Sequence, residues 1–438
     1  MTREAITTEN SWRRMWKSVL GPIFTVLATP LPIAARVLLL YYLSANSGAT
    51  SQGVFSHAVT IAIMFVAMLA TGVGLTVAFL VARNRRRYVR VCYCATMLYA
   101  VILAGLSAFS FYVLLCVFPA YFAEYPSALR LLLPLFVFAN LLYLFHNHLL
   151  TGLQCFARYF WMNVLHSLTL LAGIVVLGWT DNWSVSSAFS IWIISLAVPL
   201  PWQATAILRR FEGPWPRRQR LVAMLRLLAM HAVQSSVATI SDVLVFRSGV
   251  LILRVFSSFS VVGAYAIACS VSELILHLPK GLSVFLLPRL AASRAGVTGQ
   301  IVGHYRLVFC LLVVLACVAA AVTPVIPIFL KQPEYAASAG LARILLIGTT
   351  MMGWGMLVAS HMRAAGDMRA VVEASLLAFV VVLGCSLLLI PPFHAYGASV
   401  AATLAFASYG AYAARWLGKS LAERRDCHHL AYAVFPAR

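Results

Sequence analysis

The sequence predicts an all-α polytopic membrane protein with about twelve transmembrane helices, and three observations carry that prediction. Of its 438 residues, 62% are hydrophobic and only 10% are charged, whereas soluble domains are about a quarter charged. Mean hydropathy is +0.90. The apolar residues fall in stretches of roughly 20, the length that crosses a bilayer as a helix. The basic residues gather in alternate connections, as expected when those connections lie on the cytoplasmic side.

In chain order, Arg3, Arg13, Arg14 and Lys17 precede an apolar stretch holding Pro22, Pro30 and Pro32. No small-residue cleavage site ends that stretch, so it is expected to be an uncleaved first span. Counted along the chain, the spans fall at about 18–43, 54–82, 91–118, 129–153, 161–180, 185–208, 228–255, 262–288, 303–329, 338–361, 371–392 and 397–417. The connections are too short to hold a soluble domain. The basic run "RRFEGPWPRRQR" (209–220) divides two sets of six spans, giving an N-terminal lobe at 1–210 and a C-terminal lobe at 221–438. Each set begins on the same side, as parallel repeats would.

The formal charge of +21 is unevenly placed. With the N-terminus inside, cytoplasmic segments collect most of the 33 Lys and Arg, including "RNRRRYVR" (83–90), Arg289, Arg294, Arg424 and Arg425. Outside, Arg130 and Lys331 stand clear. Both termini are therefore expected in the cytoplasm. The same placement makes the basic runs topological signals in contact with anionic membrane lipids, with no nucleic-acid role. Nine cysteines, Cys92, Cys94, Cys116, Cys155, Cys269, Cys310, Cys317, Cys385 and Cys427, lie in or near apolar spans or in the tail. They are expected to be small core residues, with no disulfide framework, metal site or cofactor.

Five cations remain in or near the spans: Arg36, Arg247, Arg254, Lys280 and Arg343, against two deep acids, Asp242 and Glu273. At 1.5 Å rise per residue, Arg36 and Arg247 lie roughly 27 Å from the cytoplasmic starts of their spans, and Arg343 about 8 Å from the outer start of its own. Arg254 follows Arg247 at i+7 and is expected near the outer surface. An ionisable side chain at the centre of a span costs at least about 2.5–3.5 kcal/mol, so each needs a partner or a wet surface. Asp242–Arg247 or Glu273–Lys280 ion pairs are one expectation, and snorkelling of Arg36, Arg254 and Arg343 to the outer interface is another. Either leaves cations in excess, which calls for an anionic ligand. Arg suits phosphate because its planar fork bonds two oxygens at once.

Within "SELILHLPKGLSVFLLPRL" (272–290), Glu273, His277 and Lys280 stand at i, i+4 and i+7, on one face of a continuous helix that Pro279 would bend. Other spans carry polar stripes: Asn140, Tyr143, Asn147, Thr151 and Gln154; Arg343, Thr350, Trp354 and His361; Thr25, Thr29 and Arg36. Such stripes either join helices by hydrogen bonds or line a cavity suited to a sugar chain. His146 and His148 flank Asn147 on other faces and are expected to be packing residues.

Several stretches resemble the oligosaccharide-lipid flippases (Wzx-type polysaccharide transporters) of the MOP exporter superfamily. They are "LLTGLQCFARYF" (149–160), "SDVLVFRSGVLILRVFSSFSVVGAYAIACSVSELI" (241–275), "LPKGLSVFLLPRLA" (278–291) and "RAAGDMRAVVEASLLAFVVVLGCSLLLIPPFHAYGASVAA" (363–402). The similarity covers most of 140–417 and is weaker in spans one to three. It implies two six-helix lobes around a central cavity in a bacterial inner membrane. It also implies alternating access that moves an undecaprenyl-pyrophosphate-linked oligosaccharide to the outer leaflet for surface polysaccharide synthesis. Substrate contacts are then expected at Arg36, Arg247, Arg254, Lys280, Arg343 and Asn147. Coupling, to a proton or sodium ion, is expected at Asp242, Glu273 and His277, with polysaccharide-assembly membrane proteins as further partners.

Two departures narrow the choice. The lipid II flippase branch has fourteen spans, more than are counted here, and the multidrug branch typically carries an acid in span one, where this chain has Arg36. Two rival readings are a membrane-embedded glycan polymerase or ligase and a MATE-like ion-coupled exporter. An enzyme needs chemistry at the membrane edge, yet the loops near 44–53 and 119–128 offer little beyond Glu124 and His57. A cavity richer in Arg than in Asp argues against exported cations.

Overall fold

In the computed structural model the apolar runs are α-helices, and no strand occurs among the described residues, 30–83, 89–153, 155–209, 217–283, 299–330 and 332–434. Some side chains within them are excepted, those at 231–239 and 423–434 among them. Thr25, Thr29, Gln154, Arg289, Arg294, Lys331 and the centres of the basic runs at 84–88 and 210–216 lie outside the described residues.

The helices are α1 (Pro30–Arg83), α2 (Val89–Val117), α3 (Leu129–Gly152), α4 (Phe156–Thr180), α5 (Val185–Ala197), α6 (Leu200–Leu208) and α7 (Arg218–Phe256). Then come α8 (Phe259–Glu273), a 3-10 turn (Leu274–Leu276), α9 (277–283), α10 (Gly299–Val322), α11 (Val325–Leu330), α12 (Ser338–Ala364) and α13 (Met368–Val434). Nine stretches among the described residues are long and apolar enough to cross a membrane.

Two of the longest helices contain a sharp break. The 54 residues of α1 would run about 80 Å if straight, but Gly48 takes φ 83°, which glycine adopts without a Cβ clash. The chain therefore turns there, and the Ser47 hydroxyl donates to the Trp183 carbonyl at 2.8 Å while Tyr42 stacks on Trp183. In α13 the break falls at His394 (φ 47°), just after Pro391 and Pro392. Each break leaves a helical segment at least long enough to span on either side. The expected span at 185–208 is one candidate span, Val185–Leu208, built from two helical segments. Pro199 precedes α6 and Pro201 is its second residue, and a proline inside a helix removes one backbone hydrogen bond and crowds the preceding turn. Elsewhere the ends are ordinary: Ser184 caps α5 by accepting from the Ser187 N–H, and Asp367 caps α13 by accepting from the Ala370 N–H.

The chain forms two compact units, Met1–Ile240 and Ser241–Arg438, with the boundary inside α7. In the first, α3 packs against α1, α2 and α5, and α1 also meets α4. Gly152 brings α3 close to the backbone of Ala78, where any side chain would collide. In the second, α12 is the central helix, packed against α13, α8 and α10. Gly348 and Gly355 let the α13 residues Thr403 and Tyr409 approach its backbone, the small-residue contact by which helices associate without a hydrophobic drive between them.

Cysteine placement differs from expectation. Cys92, Cys155 and Cys269 are buried, but Cys116, Cys310 and Cys317 are exposed, on helix faces that a bilayer would cover. An apolar thiol is as well accommodated by lipid tails as by a core, so hydropathy does not separate the two sites. All eight described cysteines are free, and no cluster of potential metal ligands occurs among the described residues.

Candidate functional site

The candidate residues form two groups, one in each unit. In the first unit the group is uncharged apart from Arg36. Tyr143 on α3 donates its hydroxyl to Asn163 Oδ1 on α4 at 3.1 Å, and the Asn163 amide donates to the Tyr159 carbonyl at 2.7 Å. Asn147, one turn further along α3, accepts from Gln203 Nε2 of α6 at 3.3 Å. His166 on α4 contacts the Ser195 carbonyl at 2.9 Å and packs its ring on Tyr143. The Arg36 guanidinium lies 5.9 Å from the centroid of the Trp192 ring, an arrangement in which the ring quadrupole attracts the cation.

The span-four stripe thus joins helices through Tyr143 and Asn147, while Thr151 bonds back to the His148 carbonyl of its own helix. Gln203 was not anticipated. Its signal in the sequence is a lone amide two residues after Pro201. It is fully buried, and its Oε1 has no hydrogen-bond partner among the described residues. His146 bonds to the Leu142 carbonyl and packs on Tyr93.

In the second unit two of the charged residues pair in a combination that the sequence did not suggest. Arg247 on α7 meets Glu273 at the end of α8 through Nη1–Oε1 at 3.1 Å and Nη2–Oε2 at 3.2 Å. The expected Asp242–Arg247 pair does not form among the described residues, because Arg247 turns to Glu273. Residues i and i+5 point about 140° apart on a helix. Asp242 is instead held by α13, where the Ser375 hydroxyl donates to its Oδ1 at 2.6 Å. The Lys280 ammonium lies 5.7 Å from the centroid of Phe246, next to Arg247 on α7.

The common face expected for Glu273, His277 and Lys280 is also altered. A 3-10 turn at Leu274–Leu276 separates Glu273 from the other two. Its cause is Pro279, whose ring would clash with the carbonyl of Ile275, four residues back. Three residues at about 120° each in place of 100° rotate His277 and Lys280 by about 60° relative to Glu273. His277 is half-buried on α9.

Two of the predicted cations are placed at helix ends. Arg254 Nη1 donates to the Ser257 carbonyl at 3.3 Å, and its guanidinium lies 3.9 Å from the Phe259 ring centroid, across the α7–α8 turn. Arg343 is exposed, and its Nε donates to Thr323 Oγ1 at 3.1 Å and to the Ala320 carbonyl at 3.3 Å, at the C-terminus of α10. There it meets the negative end of the helix dipole. The span-ten stripe is therefore not one lining surface: Arg343 is exposed, Thr350 bonds to its own helix, and His361 is buried against Tyr305 and Trp416.

The loop after α2 is fastened by His57 of α1, whose Nδ1 and Nε2 contact the hydroxyls of Tyr125 at 2.6 Å and Tyr121 at 2.7 Å. Both ring nitrogens of this buried residue are thus committed to structure.

No protein-family model and no curated protein matches the chain. Solved structures do. An inward-facing multidrug-resistance MATE transporter of the MOP superfamily aligns with a TM-score of 0.71 and 14% identity, over 92% of this chain and 99% of that one. The lipid II flippase MurJ, inward closed, aligns at 0.69 and 13%, over 89% and 86%. A MOP-superfamily transporter from Pyrococcus furiosus, described as having a binding pocket of reversed polarity, aligns at 0.57 and 13%, over 93% and 95%. This is the all-helical fold of MOP-superfamily transporters, and identities this low show the fold alone.

Proposed function

We propose that this chain is a membrane transporter that moves a polyprenyl-pyrophosphate-linked oligosaccharide from the inner to the outer leaflet by alternating access of two six-helix lobes. The carrying observation is the charge balance of the second unit. Its spans hold Arg247, Arg254, Lys280 and Arg343 against Asp242 and Glu273. Glu273 is already engaged by both arms of the Arg247 fork, and Asp242 accepts the Ser375 hydroxyl. A net positive surface suits a pyrophosphate. The Tyr143, Asn147, Asn163 and Gln203 group supplies the hydroxyl and amide chemistry that sugars bond. Outward movement of about two negative charges is favoured by an inside-negative potential, by roughly 4.6 kcal/mol per 100 mV.

Asp242 with Ser375 is the place proposed for a coupling proton or sodium ion. The shared fold supports a transporter over a polymerase or ligase, and of the two groups considered for an enzyme, Glu124 and His57, His57 is engaged by Tyr121 and Tyr125. A second reading, an ion-coupled exporter of small molecules, is favoured by the similarity to the MATE transporter fold. Titration of the purified protein with undecaprenyl pyrophosphate and with uncharged undecaprenol, read by thermal stability, separates them. The flippase reading predicts stabilisation by the pyrophosphate that weakens with salt. Equal effects of the two lipids would count against an anionic cargo site.

A further inference from the structure

A groove in the second unit belongs to neither residue group described above. It encloses about 620 Å³ between α10, α12 and α13 and is lined by Phe309, Cys310, Met351, Trp354, Ala411 and Ala414, with Arg306 at its rim. That volume lies within the ~300–1,000 Å³ of sites that take small ligands. Its α13 wall is low because Ala407, Gly410, Ala411 and Ala414 recur at helical spacing, so the groove floor is a strip of small residues. Its α10 wall belongs to a peripheral helix. Only 11% of the α10 span is buried, against 67% for the α8 and α12 spans, and Leu307, Leu311, Val314 and Val318 are exposed along it. In a bilayer such a helix is surrounded by lipid chains.

The groove lining carries one charged residue, Arg306, while the carboxylates on the neighbouring α13 stretch, Glu373 and Asp367, are engaged by Tyr412 and Trp416. Arg306 is exposed and makes no ion pair or hydrogen bond to the described residues. Arg415 and Lys419 follow Ala414 within two turns of α13, both exposed. At 1.5 Å per residue Arg306 stands about 10 Å from the start of α10, at the end of the unit where Tyr305 meets His361 and His361 meets Trp416. The depth and the sign both match a phosphate at the headgroup level. We infer that the groove holds an anionic phospholipid of that leaflet, with one acyl chain against Trp354 and the small-residue strip and its phosphate on Arg306. This site is independent of the cargo proposed above, because none of its residues contributes to that assignment.

The test uses the full chain in vesicles, with Trp354 fluorescence taken as the difference between wild type and Trp354→Phe. Brominated phosphatidylglycerol should quench that component more strongly than brominated phosphatidylcholine. Arg306→Ala should reduce the preference about fivefold, the change that about 1 kcal/mol per basic residue produces. Arg306→Lys should retain it. Ala411→Phe, at an exposed position, should lower quenching by both lipids without changing thermal stability. Equal quenching by both lipids in the wild type, or a preference that survives Arg306→Ala, would overturn the proposal. Displacement of the quencher by undecaprenyl phosphate would overturn it in favour of the carrier lipid, and quenching that falls as protein density rises would do so in favour of a second copy of the chain.

Discussion

Arg247 and Glu273 meet through a hydrogen bond of 3.2 Å from Nη2 to Oε2 and an ion-pair contact of 3.1 Å from Nη1 to Oε1 that tie α7 to the end of α8, with 20% and 15% of their side chains exposed. The pair fixes the register between the two helices immediately before the 3-10 turn that sets the direction of Lys280. Its consequence is a coupling that mutation can measure.

Glu273→Ala leaves the Arg247 guanidinium without its carboxylate at membrane depth. It should lower stability by about 3 kcal/mol, near the small end for a broken buried pair because some solvent access remains. The double variant Arg247→Ala/Glu273→Ala should be less destabilised than Glu273→Ala alone. Thermal unfolding in detergent checks the order, and additive losses would show that the pair is not coupled.

Asp242 and Ser375 test the proposed coupling site. Ser375→Ala removes a hydrogen bond to a charged group and should cost about 1.5–3 kcal/mol of stability. Asp242→Asn keeps the shape but cannot exchange charge. Transport by the Asp242→Asn variant should lose its dependence on an imposed proton or sodium gradient while keeping its dependence on potential. A gradient dependence equal to that of the wild type would remove Asp242 from coupling.

Asn147→Ala separates a structural from a substrate role. Hydrogen bonds between membrane helices average about 0.6 kcal/mol, so loss of the contact to Gln203 should barely move the unfolding temperature. If Asn147 also contacts glycan, transport should fall by more than that small loss explains. Unchanged transport in reconstituted vesicles would assign Asn147 to helix joining alone.

Gly74→Ala tests the packing that supports the first group. A β-carbon at Gly74 would overlap the His148 imidazole, so the single substitution should destabilise by about 1–3 kcal/mol, as overpacking does. Gly74→Ala/His148→Ala should recover much of the loss. Unfolding curves of the two variants give the comparison.

The helical class and the placement of the spans were legible because hydropathy and the positions of Arg and Lys are linear properties of the chain. Local breaks were partly legible: Pro199 with Pro201 and Pro391 with Pro392 mark the divisions of 185–208 and α13, yet the consequence of Pro279 was a 3-10 turn and not a simple bend. The pairing of charges was not legible. Arg247 lies ten residues before the turn at Ser257 and Glu273 sixteen after it, so the hairpin is offset, and nothing local in the sequence sets that offset. Ser375 gave no signal, since a single serine in an apolar helix usually bonds to its own backbone. Here it does so, to the Val371 carbonyl, and also donates to Asp242. The partners of Arg343 were not legible for a different reason. Its stripe partners share its side of an ideal helix, but the C-terminus of α10 offers Thr323 and Ala320 as nearer partners.

The central claim is that the chain moves an anionic lipid-linked glycan, and one measurement meets it directly. The purified protein is reconstituted in liposomes, and transbilayer movement of an undecaprenyl-pyrophosphate oligosaccharide is followed with and without an imposed potential. The account predicts protein-dependent movement that accelerates when the compartment of origin is negative and that falls in the Lys280→Ala variant. Absence of movement across a panel of glycans, or movement indifferent to both the potential and Lys280, would contradict it.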